Sequence, residues 1–371
     1  MFLLNNQRIL KIKKLFKNLN LEAFLISNFY NILYLTGFQG LSSHERESWF
    51  LITKNKSYFF TDSRYFLSPK ELKNREIIIL SSEKNLLFYL QEIFKKEKVI
   101  NCGFEADDLK VNELDLFIKK IKNVKLIPTE KIILQQRAIK DKKEIEKIKK
   151  ACQIGDECLK AIIKLIRQGV SERELAFKIE FFIKEKGFDL SFFPLVAFDK
   201  NSSLPHYNTQ NGENKKLKNK GVILIDFGVK FKNYCSDITR IFFLGKPNDN
   251  LLNLYQKLLK AQEKTINLYQ KERLAKEIDL FCRETLAKEL PHFSSFFHSH
   301  ATGHGVGLEI HELPKISINS QDKIIKDQVF TFEPGIYIPK KYGLRIEDTI
   351  LIEENRAKIL ITQFDKKIMI L

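Results

Sequence analysis

The second half of the chain contains the stretch GVILIDFGVKFKNYCSDITR, which occupies residues 221–240. Its first part is an apolar run that predicts a buried β-strand, yet this run carries one carboxylate, Asp226. A second carboxylate, Asp237, follows eleven residues later. If the two segments form a hairpin that turns at residues 230–233, its register places Asp226 opposite Asp237. Two facing carboxylates in an apolar sheet repel each other, so the stretch predicts a bound cation.

A second pair of carboxylates lies further along the chain. Glu333 and Glu347 are fourteen residues apart, and the strand breakers Pro339 and Gly343 lie between them. The spacing predicts another hairpin that brings the two glutamates together. The charge of the four acidic side chains would balance two divalent cations. Carboxylates combined with one imidazole suit Mn²⁺, Co²⁺ or Zn²⁺.

His304 is the candidate for that imidazole. It lies in the stretch HATGHGVGLEIHE, residues 300–312, where glycines allow the backbone to approach a ligand closely. The stretch lacks the H-E-x-x-H pattern of zinc proteases and the strand-turn-helix setting of a nucleotide-binding glycine loop. Each acid or histidine alone also has a structural explanation, such as a salt bridge between Glu347 and Arg345. Their ordered combination favours a metal site.

The composition narrows the class of protein. At 371 residues and 44% hydrophobic content, the chain is long enough for two domains. Its five cysteines form no C-x-x-C pair, which argues against a disulfide framework and a structural zinc site. The net charge is +17, but the lysines are spread along the whole chain, so we expect a solvated basic surface and no nucleic-acid partner. Because no apolar run can span a bilayer and no signal peptide is evident, we expect a cytoplasmic protein without membrane contact.

The two parts of the chain predict different kinds of sheet. Short apolar runs at residues 23–27, 58–61, 77–80 and 99–102 alternate with helical stretches at 82–96 and 112–122, which predicts an α/β domain with a mixed sheet. From about residue 140 long amphipathic helices appear, one of them opened by a capping box at Ser171, and β-regions follow. The second domain is therefore expected to be α+β with antiparallel hairpins. We place the domains at residues 1–128 and 129–371.

The ordered set Asp226, Asp237, His304, Glu333 and Glu347 resembles the five-ligand pattern of the pita-bread metallopeptidases. This superfamily includes methionine aminopeptidase, aminopeptidase P and Xaa-Pro dipeptidase. The sequences YLTGF at residues 34–38 and TDSRY at 61–65 are similar to the creatinase-like N-terminal domain of the proline-specific branch. The resemblance covers nearly the whole chain. It implies a creatinase-like N-terminal domain, a pita-bread catalytic domain and hydrolysis of the Xaa-Pro bond.

The resemblance also implies how the ligands act. Asp226 would chelate one metal, Asp237 and Glu347 would bridge both, and His304 and Glu333 would bind the second. Mn²⁺ is the expected metal, with Co²⁺ and Zn²⁺ as alternatives. A hydroxide bridging the two metals would attack the carbonyl, and Glu333 would act as the proton shuttle.

Further residues are matched to the family by the same resemblance. His311 and His206 resemble the imidazoles that hydrogen-bond the carbonyl and the developing oxyanion, and His300 resembles the one near the proline pocket. A structural role is the alternative for each histidine. Arg345 is expected either to contact substrate or to orient the ligand Asp237 or Glu347.

Two functional alternatives stay open at this stage. Total length and the short spacing between Glu333 and Glu347 favour a dipeptidase over an aminopeptidase P that accepts longer peptides. The remote alternative is a non-catalytic basic binding protein with a vestigial site, which would bind nucleic acid in a salt-dependent manner. The resemblance also implies a homodimer.

Overall fold

The computed structural model describes residues 2–65, 76–269, 272–297, 300–354, 356–360 and 366–371. Contacts divide the chain into two compact units, Met1–Arg137 and Ala138–Leu371. The predicted boundary after residue 128 stays a prediction. All five cysteines are free and buried, which agrees with the expectation from the composition. Within the described ranges, no helix combines the length and apolarity needed to cross a membrane.

The first unit contains a six-stranded mixed sheet with the strand order β4-β3-β2-β1-β5-β6. The pairs β1–β2 and β2–β3 are antiparallel, and the other pairs are parallel. Its strands are β1 (Ala23–Ile26), β2 (Ser48–Thr53), β3 (Ser57–Asp62), β4 (Glu76–Leu80), β5 (Asn101–Glu105) and β6 (Lys125–Thr129). Its helices are α1 (Phe2–Leu19), α2 (Phe29–Thr36), α3 (Leu86–Glu97) and α4 (Val111–Lys120), and α5 (Ile132–Ala138) lies at the division. The predicted mixed sheet is confirmed.

The sequence did not predict the helix α2 or the strand β2. The helix is only eight residues long and six of its residues are buried, so it lacks the polar face that reveals an amphipathic helix. Its ends are nevertheless well defined: the side chain of Asn28 accepts a hydrogen bond from the Asn31 N–H, and Gly37 closes the helix at φ 79°.

Four long helices lie in the described part of the second unit. Asp141 caps α6 by accepting hydrogen bonds from the N–H groups of Lys143 and Glu144. Ser171 caps α7 by accepting from the Glu174 N–H, at the position where the capping box predicted a helix start. The helices are α6 (Lys142–Ile163), α7 (Glu172–Glu185), α8 (Asp249–Asn267) and α9 (Ala275–Glu289).

Antiparallel sheets form the rest of the second unit, as predicted. One has the order β10-β8-β7 with β9 beside β8, and the other has the order β13-β12-β15-β18-β19. Their strands are β7 (Asp189–Phe198), β8 (Gly221–Phe231), β9 (Tyr234–Cys235), β10 (Ile238–Leu244), β12 (Gly303–Gly305), β13 (Glu312–Ile316), β15 (Val329–Phe332), β18 (Asp348–Ile352) and β19 (Ala357–Ile359). Two smaller pairs are β11 (Arg273–Leu274) with β14 (Lys323–Ile324), and β16 (Gly335–Ile338) with β17 (Tyr342–Arg345).

One apolar cluster ties these sheets to the helices α8 and α9. It includes Leu224 of β8, Phe330 of β15, Leu258 of α8 and Leu286 of α9, all fully or almost fully buried. An isolated antiparallel bridge between Thr239 and Glu347 joins the two large sheets. Asp237 lies two residues before Thr239 and Glu347 is part of the bridge itself, so the bridge brings one member of each carboxylate pair to one place.

Candidate metal centre

The two aspartates of the stretch 221–240 lie on neighbouring strands but are not direct partners. The turn consists of Lys232 and Asn233, both with positive φ (47° and 70°), as in a tight two-residue hairpin turn. Its register pairs Asp226 with Thr239. The predicted pairing of Asp226 with Asp237 is wrong, because the strands continue beyond residue 230 and a tighter turn connects them.

The observed register differs from the predicted one by two residues. This even shift keeps Asp226 and Asp237 on the same face of the sheet. Side chains alternate between the two faces of a strand, so a partner shifted by two residues stays on the same face. Asp237 therefore remains a diagonal neighbour of Asp226. The negative charge of Asp226 contributes, after burial and Glu347, to a pKa of Asp237 well above its usual range.

The hairpin predicted for the two glutamates is confirmed. Phe332 pairs with Asp348 where β15 meets β18, and Gly335 pairs with Arg345 where β16 meets β17. The same register continues across the gap, so Glu333 lies opposite Glu347. Of the two predicted strand breakers, Pro339 follows β16 in the turn, whereas Gly343 lies inside β17. A Cβ atom on Gly343 would lie 2.0 Å from the carbonyl oxygen of Ser202.

His304 lies at the centre of β12, between two glycines that the packing requires. A Cβ atom on Gly303 would lie 2.0 Å from the Thr331 carbonyl oxygen, and one on Gly305 would lie 2.1 Å from that of Leu313. The backbone of β12 can therefore lie this close to its neighbours only without side chains on either side of His304.

The imidazole of His304 is directed at the carboxylates. Its Nδ1 lies 3.2 Å from the carbonyl oxygen of Gly305, which can only accept, so Nδ1 carries the proton. Its Nε2 is thereby free of a proton and lies 3.6 Å from Asp237 Oδ2 and 3.5 Å from Glu333 Oε1. Single ligand atoms from His304, Asp237 and Glu347 lie within 4.8 Å of one another. These three side chains are close enough together to hold a metal ion.

Charge and hydrogen bonding in the cluster fit a divalent cation. Among the described residues, Asp226 Oδ1 and Asp237 Oδ1 are buried and have no hydrogen-bond partner. Burial, and next the charge of Glu347, raises the pKa of Glu333 well above its usual value, and burial raises that of Glu347 to about 8. Burial lowers the pKa of His304 to about 3, so the imidazole is a neutral ligand at pH 7. Added positive charge, such as that of a divalent cation, would favour the ionised form of these carboxyl groups.

Arg345 supplies positive charge beside the predicted ligand Asp226. Its guanidinium forms a buried ion pair with Asp226, and its Nε donates to Thr239 Oγ1 over 3.1 Å. The Thr239 hydroxyl in turn donates to Glu347 Oε2 over 2.6 Å. Arg345 thus pairs with Asp226 and reaches Glu347 through Thr239, and its expected role in substrate contact or ligand orientation stays a prediction.

The three further histidines differ in their surroundings. His300 lies 4.0 Å from Glu333 through its Nδ1, which also contacts the Ala301 carbonyl at 2.7 Å. Burial lowers the pKa of His300 to about 4. His311 is exposed and stacks edge-on to His304 with ring centroids 4.2 Å apart. His206 is also exposed and interacts electrostatically with Asp226.

Two residues of the site were not predicted from the sequence. The Tyr337 hydroxyl accepts from Arg345 Nη1 at 3.0 Å and lies 3.1 Å from His300 Nε2, so it connects the two. Thr239 holds Glu347 as described above. Its position two residues after Asp237, on the same strand face, was the available signal. Tyr337 carried no comparable signal, because its role depends on strands distant in sequence.

Comparison with known proteins identifies related chains over both units. A family model described as "Metallopeptidase family M24" matches residues 146–354, and one described as "Creatinase/Prolidase N-terminal domain" matches residues 8–139. The chain is 32% identical over 357 residues to a Pyrococcus horikoshii protein named Xaa-Pro dipeptidase, covering 96% of this chain and 97% of the relative.

Solved structures give the same result. The Xaa-Pro dipeptidase from Bacillus anthracis is similar with a TM-score of 0.91 and 31% identity, covering 99% of this chain and 100% of that chain. The X-Pro aminopeptidase from Thermotoga maritima is similar with a TM-score of 0.85 and 30% identity, covering 96% of this chain and 99% of that chain. Each similarity extends over nearly the whole chain.

Proposed function

The chain belongs to metallopeptidase family M24, and from this membership we propose that it is an Xaa-Pro dipeptidase that uses two divalent cations. Its architecture is a creatinase-like N-terminal domain followed by a pita-bread catalytic domain. The observation that carries the proposal is the buried cluster of carboxylates around a neutral imidazole. The domain limits 1–128 and 129–371, a cytoplasmic location and a homodimer are part of the proposal.

Five side chains would hold the cations: Asp226, Asp237, His304, Glu333 and Glu347. Mn²⁺ is the proposed metal, with Co²⁺ and Zn²⁺ as alternatives, because oxygen ligands outnumber the single nitrogen ligand. A pair of divalent cations supplies Lewis acidity, which makes water more acidic and polarises the scissile carbonyl. The buried oxygens without hydrogen-bond partners, Asp226 Oδ1 and Asp237 Oδ1, support this assignment.

Proton transfer is assigned to Glu333. Burial raises the pKa of this carboxyl, so it holds a proton more readily than an exposed glutamate does. We assign to it the proton released by the attacking water and its delivery to the proline nitrogen, the atom that leaves. His304 Nε2 lies 3.5 Å from Glu333 Oε1, so one cation could contact both atoms.

Substrate binding is assigned to the histidines at the rim of the cluster. His311 and His206 are exposed, so their imidazoles can donate to a substrate carbonyl and to the developing oxyanion. His300 is held by Tyr337 and is assigned to the proline pocket. Arg345 is 4% exposed, which supports an orienting role for it through Asp226 and leaves little surface for substrate contact.

A second candidate function is cleavage before proline in longer peptides. It is supported by the similarity to a structure titled X-Pro aminopeptidase. The relatives named Xaa-Pro dipeptidase support the first function. The intact cluster of ionisable ligands speaks against the vestigial binding protein.

The experiment is hydrolysis by metal-stripped protein, with and without Mn²⁺, of an Xaa-Pro dipeptide and the matching Xaa-Pro-Yaa tripeptide. Mn²⁺-dependent cleavage of the dipeptide alone supports the dipeptidase. Preference for the tripeptide would move the assignment to aminopeptidase P. Failure to cleave either peptide with two ions bound would contradict the peptidase, and salt-dependent binding of DNA or RNA would then support the binding protein.

A further inference from the structure

A buried amide lies behind the two glutamates. Gln262 of α8 is fully buried, and its Nε2 donates to the carbonyl oxygens of Phe332 at 3.2 Å and Ile346 at 3.1 Å. These carbonyls belong to the residues that immediately precede Glu333 and Glu347. One side chain therefore hydrogen-bonds to both strands, in each case at the residue immediately before the glutamate.

The strands benefit from this link because one hydrogen bond of their ladder is missing there, although the Ile346 N–H still donates to the Pro334 carbonyl at 3.4 Å. In the register of the hairpin, Ile346 faces Pro334, which has no N–H to donate to the Ile346 carbonyl. The N–H groups of the glutamates point elsewhere: Glu333 donates to the Thr302 carbonyl at 2.8 Å and Glu347 to the Thr239 carbonyl at 3.2 Å. The amide of Gln262 thus replaces a cross-strand hydrogen bond that proline removes.

Lys366 fixes the orientation of this amide. Its ammonium group lies 2.9 Å from Gln262 Oε1 and 2.8 Å from Asp348 Oδ2. An ammonium can only donate and a backbone carbonyl can only accept, so the amide has one satisfied orientation. Lys366 is itself held by the chain end, since Phe243 of β10 donates to the Met369 carbonyl at 3.0 Å and accepts from Leu371 at 2.8 Å.

The same group of side chains surrounds Glu347 on its other side. Asp348, the next residue, is completely buried and pairs with Arg240 at 2.7 Å. Arg240 Nη1 also donates to the Glu347 carbonyl. The backbone carbonyls of Ile346 and Glu347 and the carboxylate of Asp348 are therefore all held by side chains outside the proposed set of metal ligands.

We propose that Gln262 and Lys366 are positioning residues that set the separation of Glu333 and Glu347, and with it the affinity of the site for its cations. A metal ion requires its ligands within a few tenths of an ångström of the favoured geometry, so looser strands bind it less tightly. Side chains that orient metal ligands contribute about 10- to 100-fold in affinity. The inference rests on the metal centre of the proposed function.

The test is Mn²⁺ titration of the metal-stripped full chain by calorimetry, for wild type, Gln262→Leu, Lys366→Met and the control Thr265→Val. Thr265 lies on the same helix and is buried, but its hydroxyl donates to the Ala261 carbonyl of its own helix. We expect the Mn²⁺ dissociation constant of at least one site to rise about 10- to 100-fold in Gln262→Leu, and less in Lys366→Met. The control is expected to stay within about twofold of wild type.

Circular dichroism at each titration temperature establishes that the variants are folded. If Gln262→Leu does not fold, the Mn²⁺ affinity of Lys366→Met decides the test, because the Lys366 side chain lies nearer the surface and its replacement disturbs the core less. Wild-type affinities in folded Gln262→Leu and Lys366→Met would overturn this inference and leave the proposed function intact. A wild-type chain that binds no Mn²⁺ would overturn both.

Discussion

Asp226 Oδ1 and Asp237 Oδ1 lie inside the second unit, and neither has a hydrogen-bond partner within the part of the chain that the structure describes. An uncompensated buried carboxylate oxygen costs several kcal/mol, and Arg345 pairs with only one of the two aspartates. A cation that touches both oxygens removes this cost. These two unpartnered oxygens therefore support the proposed metal site.

At the residue scale, metal analysis should distinguish variants of the proposed metal ligands from variants of the proposed substrate-binding histidines. Asp237→Ala and Glu347→Ala are expected to lose bound metal and activity together, because each removes an atom of the cluster. His311→Ala is expected to lower turnover by about 10²-fold or more while metal content stays near that of wild type. Elemental analysis of the purified variants checks both. Retention of two ions by the aspartate and glutamate variants would contradict the assignment.

At the element scale, the strand β12 is packed closely against its neighbours. It lies between β13 and β15, and its glycines touch the backbone of both neighbours. A ligand on such a strand is held by the backbone itself and depends little on the surrounding side chains. This suits an imidazole that must present one nitrogen in a fixed direction.

Gly303→Ala should therefore disrupt both folding and metal binding. The added methyl group would lie 2.0 Å from the Thr331 carbonyl oxygen, and a backbone atom cannot move aside as a flexible side chain can. We expect a loss of more than about 2 kcal/mol in unfolding free energy. The matched control is Gly155→Ala, within α6, where a Cβ atom has no neighbour within 4 Å.

Because alanine favours a helix interior, the control is expected to gain about 1 kcal/mol. Urea unfolding of the metal-free proteins measures both changes. Equal stability of the two variants would show that β12 is less constrained than its contacts indicate.

At the scale of the whole molecule, the buried carboxylates make folding and proton binding interdependent. Burial raises the pKa of Glu347 to about 8 in the folded state, whereas an unfolded glutamate has a pKa near ~4.3. Between these values the folded chain holds a proton that the unfolded chain has released. Its stability therefore falls as the pH rises through this window. His304 and His300 have lowered pKa values and act in the opposite direction, but only below the pKa of an unfolded histidine, about 6.5.

The metal-free protein should accordingly lose stability from about pH 7 to pH 8, where most unfolded histidines have released their proton and the carboxylates dominate. The expected slope is about 1.4 kcal/mol per pH unit for each proton. Saturating Mn²⁺ should flatten the dependence, because bound cations keep the carboxylates ionised in the folded state. Urea unfolding at several pH values, with chelator or with Mn²⁺, measures both slopes.

Glu347→Gln is the control for this measurement, since the amide cannot titrate. It should reduce the slope measured in chelator by the contribution of one proton, about 1.4 kcal/mol per pH unit. A metal-free protein whose stability is constant or rises over this interval would contradict the raised pKa values of the site.

The sequence by itself determined the mixed and antiparallel sheets, the glutamate hairpin and the common face of the aspartates, because apolar runs, strand breakers and the two-residue period of a strand act locally. Only the tertiary structure decided that Asp226 pairs with Thr239, that Arg345 binds Asp226, and that Tyr337 and Gln262 reach the site. These contacts join elements far apart in the chain. The folded packing of helices against sheets sets them, and no local pattern encodes that packing.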